Sequence, residues 1–361
     1  MASNSKNIAE LLNGDTTLTA TDIANDAVTA DKLANSINTD IATGVAALPK
    51  SGGAMTGAIT SNNTISDVGG NVRSGRKNLI INGGFDVWQR GTSTSLVGGP
   101  SYIGADRWQV YINTSSTIYM DKVAFTVGQT EVAGNPENYL KFDWLGTGSS
   151  TVKIIEHRVE GVSHTAGKAV TLSFWARTQM ADDPSVSFTQ SFGLGGSAGI
   201  SVFSQTIDCT TAWQKFEITT TLPSISGKTV GAGSYLQLSY ASSGTLNSYL
   251  EIAQVQLELG SVATDFEHRS YGEELALCQR YYCRLYTETI FGTVGTSGHL
   301  VHYYAFPEEM RVTPATTDIG SLWDSGSRYV SPFGKAGTRA GLTGGTGAAS
   351  YLANYAFDAE L

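Results

Sequence analysis

The sequence predicts a mainly β protein: an antiparallel β-sandwich of jelly-roll type, preceded by an extended or short helical trimeric shaft and followed by a small β-rich tip. Three observations lead there. Only 15% of the 361 residues are charged, where about 25% is usual, and the deficit is filled by Gly, Ser, Thr and Asn. Thr and Ser suit the exposed faces of strands, while the 41 glycines and the asparagines suit turns that need positive φ. Short apolar runs recur between turn signals through residues 78–268, and no helical pattern of roughly 10–15 residues separates them, which disfavours a parallel α/β sheet. Residues 1–84 contain no Phe, Tyr or Trp. Aromatic rings dominate ordinary cores, so this segment either lacks a core or is buried against copies of itself.

Residues 1–48 form the first predicted segment. Apolar side chains fall at Leu33, Ile37, Ile41, Val45 and Leu48, one face of a short helix, with Asp31 placed to cap its start and Pro49 to stop it. So narrow a stripe among small polar residues fits a coiled-coil seam, and also a lone amphipathic helix docking on another protein. A shaft is predicted at 49–77. In Lys50-Ser-Gly-Gly-Ala-Met-Thr-Gly-Ala-Ile-Thr, Met55 and Ile59 are the only bulky apolar groups. The glycines imply tight turns and residues 55–60 a short strand. This run resembles the shaft repeats of phage tail fibres, where a Gly-Gly-x-Met-Thr-Gly-x-Ile unit interleaves between three chains. The resemblance implies a homotrimer interleaved through Met55 and Ile59, and the apolar stripe at Leu33, Ile37, Ile41 and Val45 would serve the same trimer as a coiled-coil seam. One copy is present, so the shaft is short.

The sandwich is expected over 78–268. Its candidate strands are 78–82, 108–111, 118–124, 139–144, 152–159, 169–177, 186–190, 200–205, 214–222, 235–240 and 250–259. In the sixth, Val170, Leu172, Phe174 and Ala176 share one face and Trp175 takes the other. In the last, Leu250-Glu-Ile-Ala-Gln-Val-Gln-Leu-Glu-Leu, the alternation slips near Ala253, as a bulge would make it. Four blocks in order, Asn78-Leu-Ile-Ile-Asn-Gly-Gly-Phe-Asp-Val-Trp-Gln-Arg-Gly, Ala105-Asp-Arg-Trp, Leu172-Ser-Phe-Trp-Ala-Arg and Val255-Gln-Leu-Glu-Leu-Gly-Ser-Val-Ala-Thr-Asp-Phe-Glu-His-Arg, resemble a domain family of phage tail fibres related to jelly-roll carbohydrate-binding modules. The resemblance implies that fold and a sugar-binding ancestry. Trp88, Trp108 and Trp144 are expected in the core.

The remaining segment, 269–361, is expected to be a C-terminal tip. Leu275, Cys278 and Tyr282 stack at helical spacing ahead of a strand. The Cys278-Gln-Arg-Tyr-Tyr block and Phe306-Pro-Glu-Glu-Met-Arg-Val-Thr-Pro resemble the region that follows the sandwich in phage fibres. Beyond it lie short strands and long turns rich in Gly, Ser, Ala and Tyr.

Chemistry is sparse. A net charge of −9 argues against nucleic acid and against docking on anionic lipid. No run of about 18 apolar residues exists to enter a membrane, and the N-terminus carries no signal-type apolar stretch. The three cysteines, Cys209, Cys278 and Cys283, are odd in number and lack metal-type spacing, so free thiols are expected. His299 and His302 stand three apart, which on a strand puts them on opposite faces, and no metal site is expected. Glycoside hydrolysis needs two carboxylates facing each other across a sugar. The adjacent pairs Asp182/Asp183, Glu273/Glu274 and Glu308/Glu309 point apart on strands, and no β-helix repeat is present. No catalytic residue and no cofactor are therefore expected.

Aromatic rings are the candidate ligand groups, since sugar C–H faces pack on them. The tip offers Trp323, Asp324, Arg328, Tyr329 and Phe333 within one short stretch split by a polar turn; Trp323 and Phe333 could equally fill a small core. Trp175 stands off the apolar face of its strand, where it is either open to a ligand or covered by another sheet or subunit. The combined expectation is a non-enzymatic phage tail fibre in the virion, made in the host cytoplasm. It would be joined to tail proteins through its N-terminus and adsorb to host surface polysaccharide. Two alternatives stand beside it: a structural tail adaptor without receptor binding, and a polysaccharide-degrading tailspike.

Overall fold

Alternation of apolar and polar residues builds two layers of antiparallel strand. The computed structural model describes residues 76–361 apart from 146–152, 180–182, 243–247, 295–298, 319–320, 323–326, 333 and 344–346. Leu33, Ile37, Ile41, Val45, Met55 and Ile59 lie outside the described residues. Residues 73–361 form one compact unit.

The sandwich strands are β1 Ser93–Ser101, β2 Trp108–Ala124, β3 Asn138–Leu145, β4 Lys153–Glu160, β5 Ala169–Thr178, β6 Ser185–Ser191, β7 Ile200–Thr206, β8 Gln214–Thr221, β9 Tyr235–Ser242 and β10 Ser248–Leu259. The long β2 belongs to both layers. Its residues 108–112 pair with β4, continuing through β9 and β6 to β7, and its residues 117–124 pair with β3, continuing through β10 and β5 to β8. Ile155, Val186, Phe188 and Leu238 of one layer and Leu140, Phe142, Leu172 and Ile252 of the other form one buried core. The Phe174 ring meets Tyr240 edge-on across it at 5.1 Å. Trp88 and Trp108 are core residues, as expected. Burying each large apolar side chain contributes roughly 1.5–3 kcal/mol.

Three strand assignments are corrected. Residues 78–82 are not a strand: Asn78 Nδ2 donates to the Val255 carbonyl at 3.0 Å, its Oδ1 accepts from Leu257 N at 3.1 Å, and Asn82 turns the chain at φ 58°. The predicted strands 108–111 and 118–124 are one. And β1, hidden in the sequence by Gly98-Gly99-Pro100, pairs along β2 by slipping register between Val97 and Gly99.

The tip begins with helix α1, Tyr271–Gln279. Ser270 caps it by accepting from Glu273 N, and the Glu273 side chain accepts in turn from Ser270 N, a reciprocal capping box. Strands β11 Tyr282–Val294, β13 Ala315–Asp318 and β14 Ser321–Leu322 form one sheet with β17 Gly347–Asp358. A second sheet holds β12 His299–Ala305, β16 Gly337–Thr343 and β15 Ser327–Pro332 in that order. Phe306, Met310, Tyr355 and Phe357 fill a separate small core.

A buried ionic seam ties tip to sandwich. Glu360 pairs with Arg90 at 3.2 Å and also with Arg107. Each guanidinium lies 3.6 Å from a tyrosine ring centroid, Arg90 over Tyr282 and Arg107 over Tyr281. Arg158 donates to the Leu361 carbonyl and to Gln109 Oε1. Burial pushes the Asp106 carboxyl up to about 7 despite Arg90 beside it at 3.4 Å. The three thiols are buried and unpaired.

Candidate functional site

The alternation of β10 cannot continue without a fault. Leu250 and Ile252 face the core, so a regular strand would next bury Gln254 and Gln256. The structure instead slips register between Ala253 and Gln256, with Gln254 in the left-handed region at φ 50°. That extra residue returns Val255 and Leu257 to the core and keeps the glutamines out of it. The bulge is held from the side by Gly83, whose carbonyl accepts from Val255 N at 2.9 Å.

Gln256 and Glu258 then tether a strap, residues 261–269, across the outer face of the same layer. Glu258 accepts from Thr264 N at 2.9 Å and from Thr264 Oγ1 at 2.7 Å, and Gln256 Oε1 accepts from Glu267 N at 2.7 Å. The strap carries Phe266 and the exposed His268, whose rings meet edge-on at 5.1 Å. Facing it is the β2–β3 loop, anchored by Val132 against Tyr139 and Trp213. Reciprocal hydrogen bonds between Gln129 and Val132 stiffen that loop, and Gly134 and Asn135 turn it at positive φ.

A groove with two lobes lies between strap and loop. One cavity of about 410 Å³ is lined by Trp175, Lys215, Asp265 and Ser173. A second, also about 410 Å³, is lined by Asp86, Lys122, Asn138 and Tyr271. Gly134, Gln254, Phe266 and His268 line both. Trp175 is half-buried, in register between Ala253 of β10 and Lys215 of β8, and rests on the Val132–Tyr139–Trp213 cluster. Gln254 is 5% exposed, yet its Nε2 has no hydrogen-bond partner among the described residues. Leaving such a donor unmet costs about 1–3 kcal/mol. Beyond the loop the same face carries the ion pairs Arg177–Glu251 and Lys141–Asp143, with Arg177 over the Trp213 ring at 4.9 Å.

The candidate residues of the sequence fall unevenly. Trp175 is on the outward face as alternation requires, and it lines the groove. Trp323, Asp324 and Phe333 lie outside the described residues. Arg328 and Tyr329 stand on β15 opposite Leu342 and Gly341 of β16, and only their backbone is described. Lys215, Gln254, Phe266 and His268, which line the groove, are not singled out by the sequence. The slip near Ala253 was their one signal, and it marks the bulge without revealing what the bulge presents.

One of the three carboxylate pairs has structural work, on helix α1. Glu273 caps α1, while Glu274 accepts from Asn82 N at 2.5 Å and pairs with Arg269 at 3.3 Å. Glu308 and Glu309 are both exposed, as is Asp183, and Asp182 lies outside the described residues.

No known protein-family profile matches the chain, and no curated protein matches it. Several solved structures are similar. The enzymatically active domain of tailspike protein 4 from bacteriophage CBA120 is 11% identical with a TM-score of 0.33, and the match covers 51% of this chain and 21% of the tailspike chain. TmCBM61, solved with β-1,4-galactotriose, is 16% identical with a TM-score of 0.30, covering 51% of this chain and all of that one (100%). The family 11 carbohydrate-binding module of Clostridium thermocellum is 11% identical with a TM-score of 0.30, covering 48% and 98%.

Proposed function

We propose that this chain is a non-enzymatic phage tail-fibre component that binds a host-surface glycan through the outer groove of its sandwich. The observation that carries the reading is Trp175, a half-buried indole at the wall of a cavity of about 410 Å³ with Lys215, Asp265, His268 and Gln254 around it. An apolar ring flanked by a few polar groups is what a sugar needs, the ring for its C–H face and the polar groups for its hydroxyls. Of the carboxylate pairs that the sequence offers for cleavage, Glu273 and Glu274 are engaged in capping and ion pairing. The aromatic-free segment 1–84, with its shaft-like run at 50–60, supports a trimeric fibre fastened to the tail by residues 1–48. The virion is then its place of action.

The test is glycan-array binding by the full-length chain and its Trp175→Ala variant. The reading expects saturable binding to a defined set of glycans, lost by at least tenfold in the variant with its β-sheet circular dichroism retained. Absence of binding by the wild-type chain, or equal binding by both, refutes it.

A further inference from the structure

We infer that Gln254 is the specificity-determining residue of this groove, reading a neutral oligosaccharide that spans both lobes with at least one sugar unit in each. The inference rests on the glycan-binding reading above and adds where along the ligand the selection is made.

Four observations converge. Gln254 is shared by the two cavities, so a ligand crossing from one to the other passes its amide. That amide is 95% buried, at 5% exposed, with Nε2 unpaired among the described residues, and buried donors are ordinarily satisfied. The left-handed backbone at φ 50° is a conformation non-glycine residues seldom adopt, and it turns to the outer face a polar side chain that regular alternation would place in the core. Opposite stands Gly134, where a Cβ would lie 3.0 Å from Gln254 Nε2 and 3.4 Å from His268 Nε2. Any side chain at Gly134 would crowd both of these groups that the two lobes share.

Charge selects the ligand class. The first lobe sets Lys215 against Asp265, and the second sets Lys122 against Asp86 and Glu137, with Arg269 there already paired to Glu267 and Glu274. Neither lobe offers a net positive field to an acidic sugar, while both supply donors and acceptors to hydroxyls. Each lobe alone falls within the roughly 300–1,000 Å³ of a small-molecule pocket, so the two together suit a chain of sugars rather than a monosaccharide. Gln254 Nε2 then donates to a ligand oxygen at the junction.

The experiment is calorimetric titration of the full-length chain with linear gluco-, galacto- and manno-oligosaccharides of increasing length, with hyaluronate as the acidic comparison. Affinity for one neutral series should rise at least tenfold from the monosaccharide to the tri- or tetrasaccharide. Gln254→Glu, which keeps the shape but replaces the donor, should remove that gain. Equal affinity for monosaccharide and tetrasaccharide in the wild-type chain overturns the inference without any variant, as does preference for hyaluronate. So does a folded Gln254→Glu chain that keeps the length-dependent gain. In each of those cases loss of binding in Trp175→Ala leaves the glycan-binding reading standing, whereas a wild-type chain that binds no glycan removes both.

Discussion

Gly83 lies against the bulge of β10 so closely that a Cβ there would sit 2.1 Å from the Val255 carbonyl oxygen. The obstacle is backbone and cannot rotate away. Gly83→Ala should therefore lower unfolding stability by about 1–3 kcal/mol in urea titrations, and it should weaken ligand binding because the bulge carries Gln254. Asp106 poses a different residue-scale question. Its carboxyl is pushed by burial to about 7, against about 3.9 when unfolded. The folded state thus holds a proton that the unfolded state releases first, so the stabilisation is full below pH 4 and is lost as pH rises through 7. Asp106→Asn, neutral throughout, should lack that fall: melting curves between pH 4 and 8 should show the wild type losing on the order of a few kcal/mol relative to the variant. Parallel curves would contradict the assignment. At this scale alternation made Trp175 legible, since its neighbours Val170, Leu172, Phe174 and Ala176 all had to face inward. Gln254 was not legible as a ligand group, because a lapse in period marks a bulge but says nothing of an unpaired amide.

Elements differ in how far the sequence betrayed them. Strands with one apolar face, such as β5 and β6, are legible from their alternation. The Leu79-Ile-Ile run looked like a strand because it is apolar, yet Asn78 and Asn82 spend their amides on backbone groups and fold it into a brace for β10. β1 escaped because glycine and proline mark turns far more often than the bulged edge of a sheet. The strap at 261–269 could not be foreseen, since its hold depends on Gln256 and Glu258 facing outward only after the bulge. That hold is testable. Glu258→Ala removes both hydrogen bonds to Thr264 while leaving the core intact, so amide exchange through residues 261–269 should quicken by local opening with little change in global melting. Unchanged exchange there would show that the strap is kept in place by other contacts.

For the molecule as a whole, the described residues place a two-lobed groove on the sandwich, and Glu360 and Leu361 hold the tip to it through Arg90, Arg107 and Arg158. In the proposed fibre of three chains, avidity would multiply the affinity of each groove. Sedimentation of the full-length chain should accordingly give about three times the 38.2 kDa of one chain, and a stable monomer would contradict the trimer. The central claim, that the outer groove is the host-binding surface, is tested most directly by competition. Purified full-length chain should block adsorption of the phage to its host saturably, and a chain carrying Lys215→Ala and His268→Ala, both exposed, should fail to block while melting at the wild-type temperature. If that double variant blocks adsorption as well as the wild-type chain does, the groove is not the receptor-binding surface.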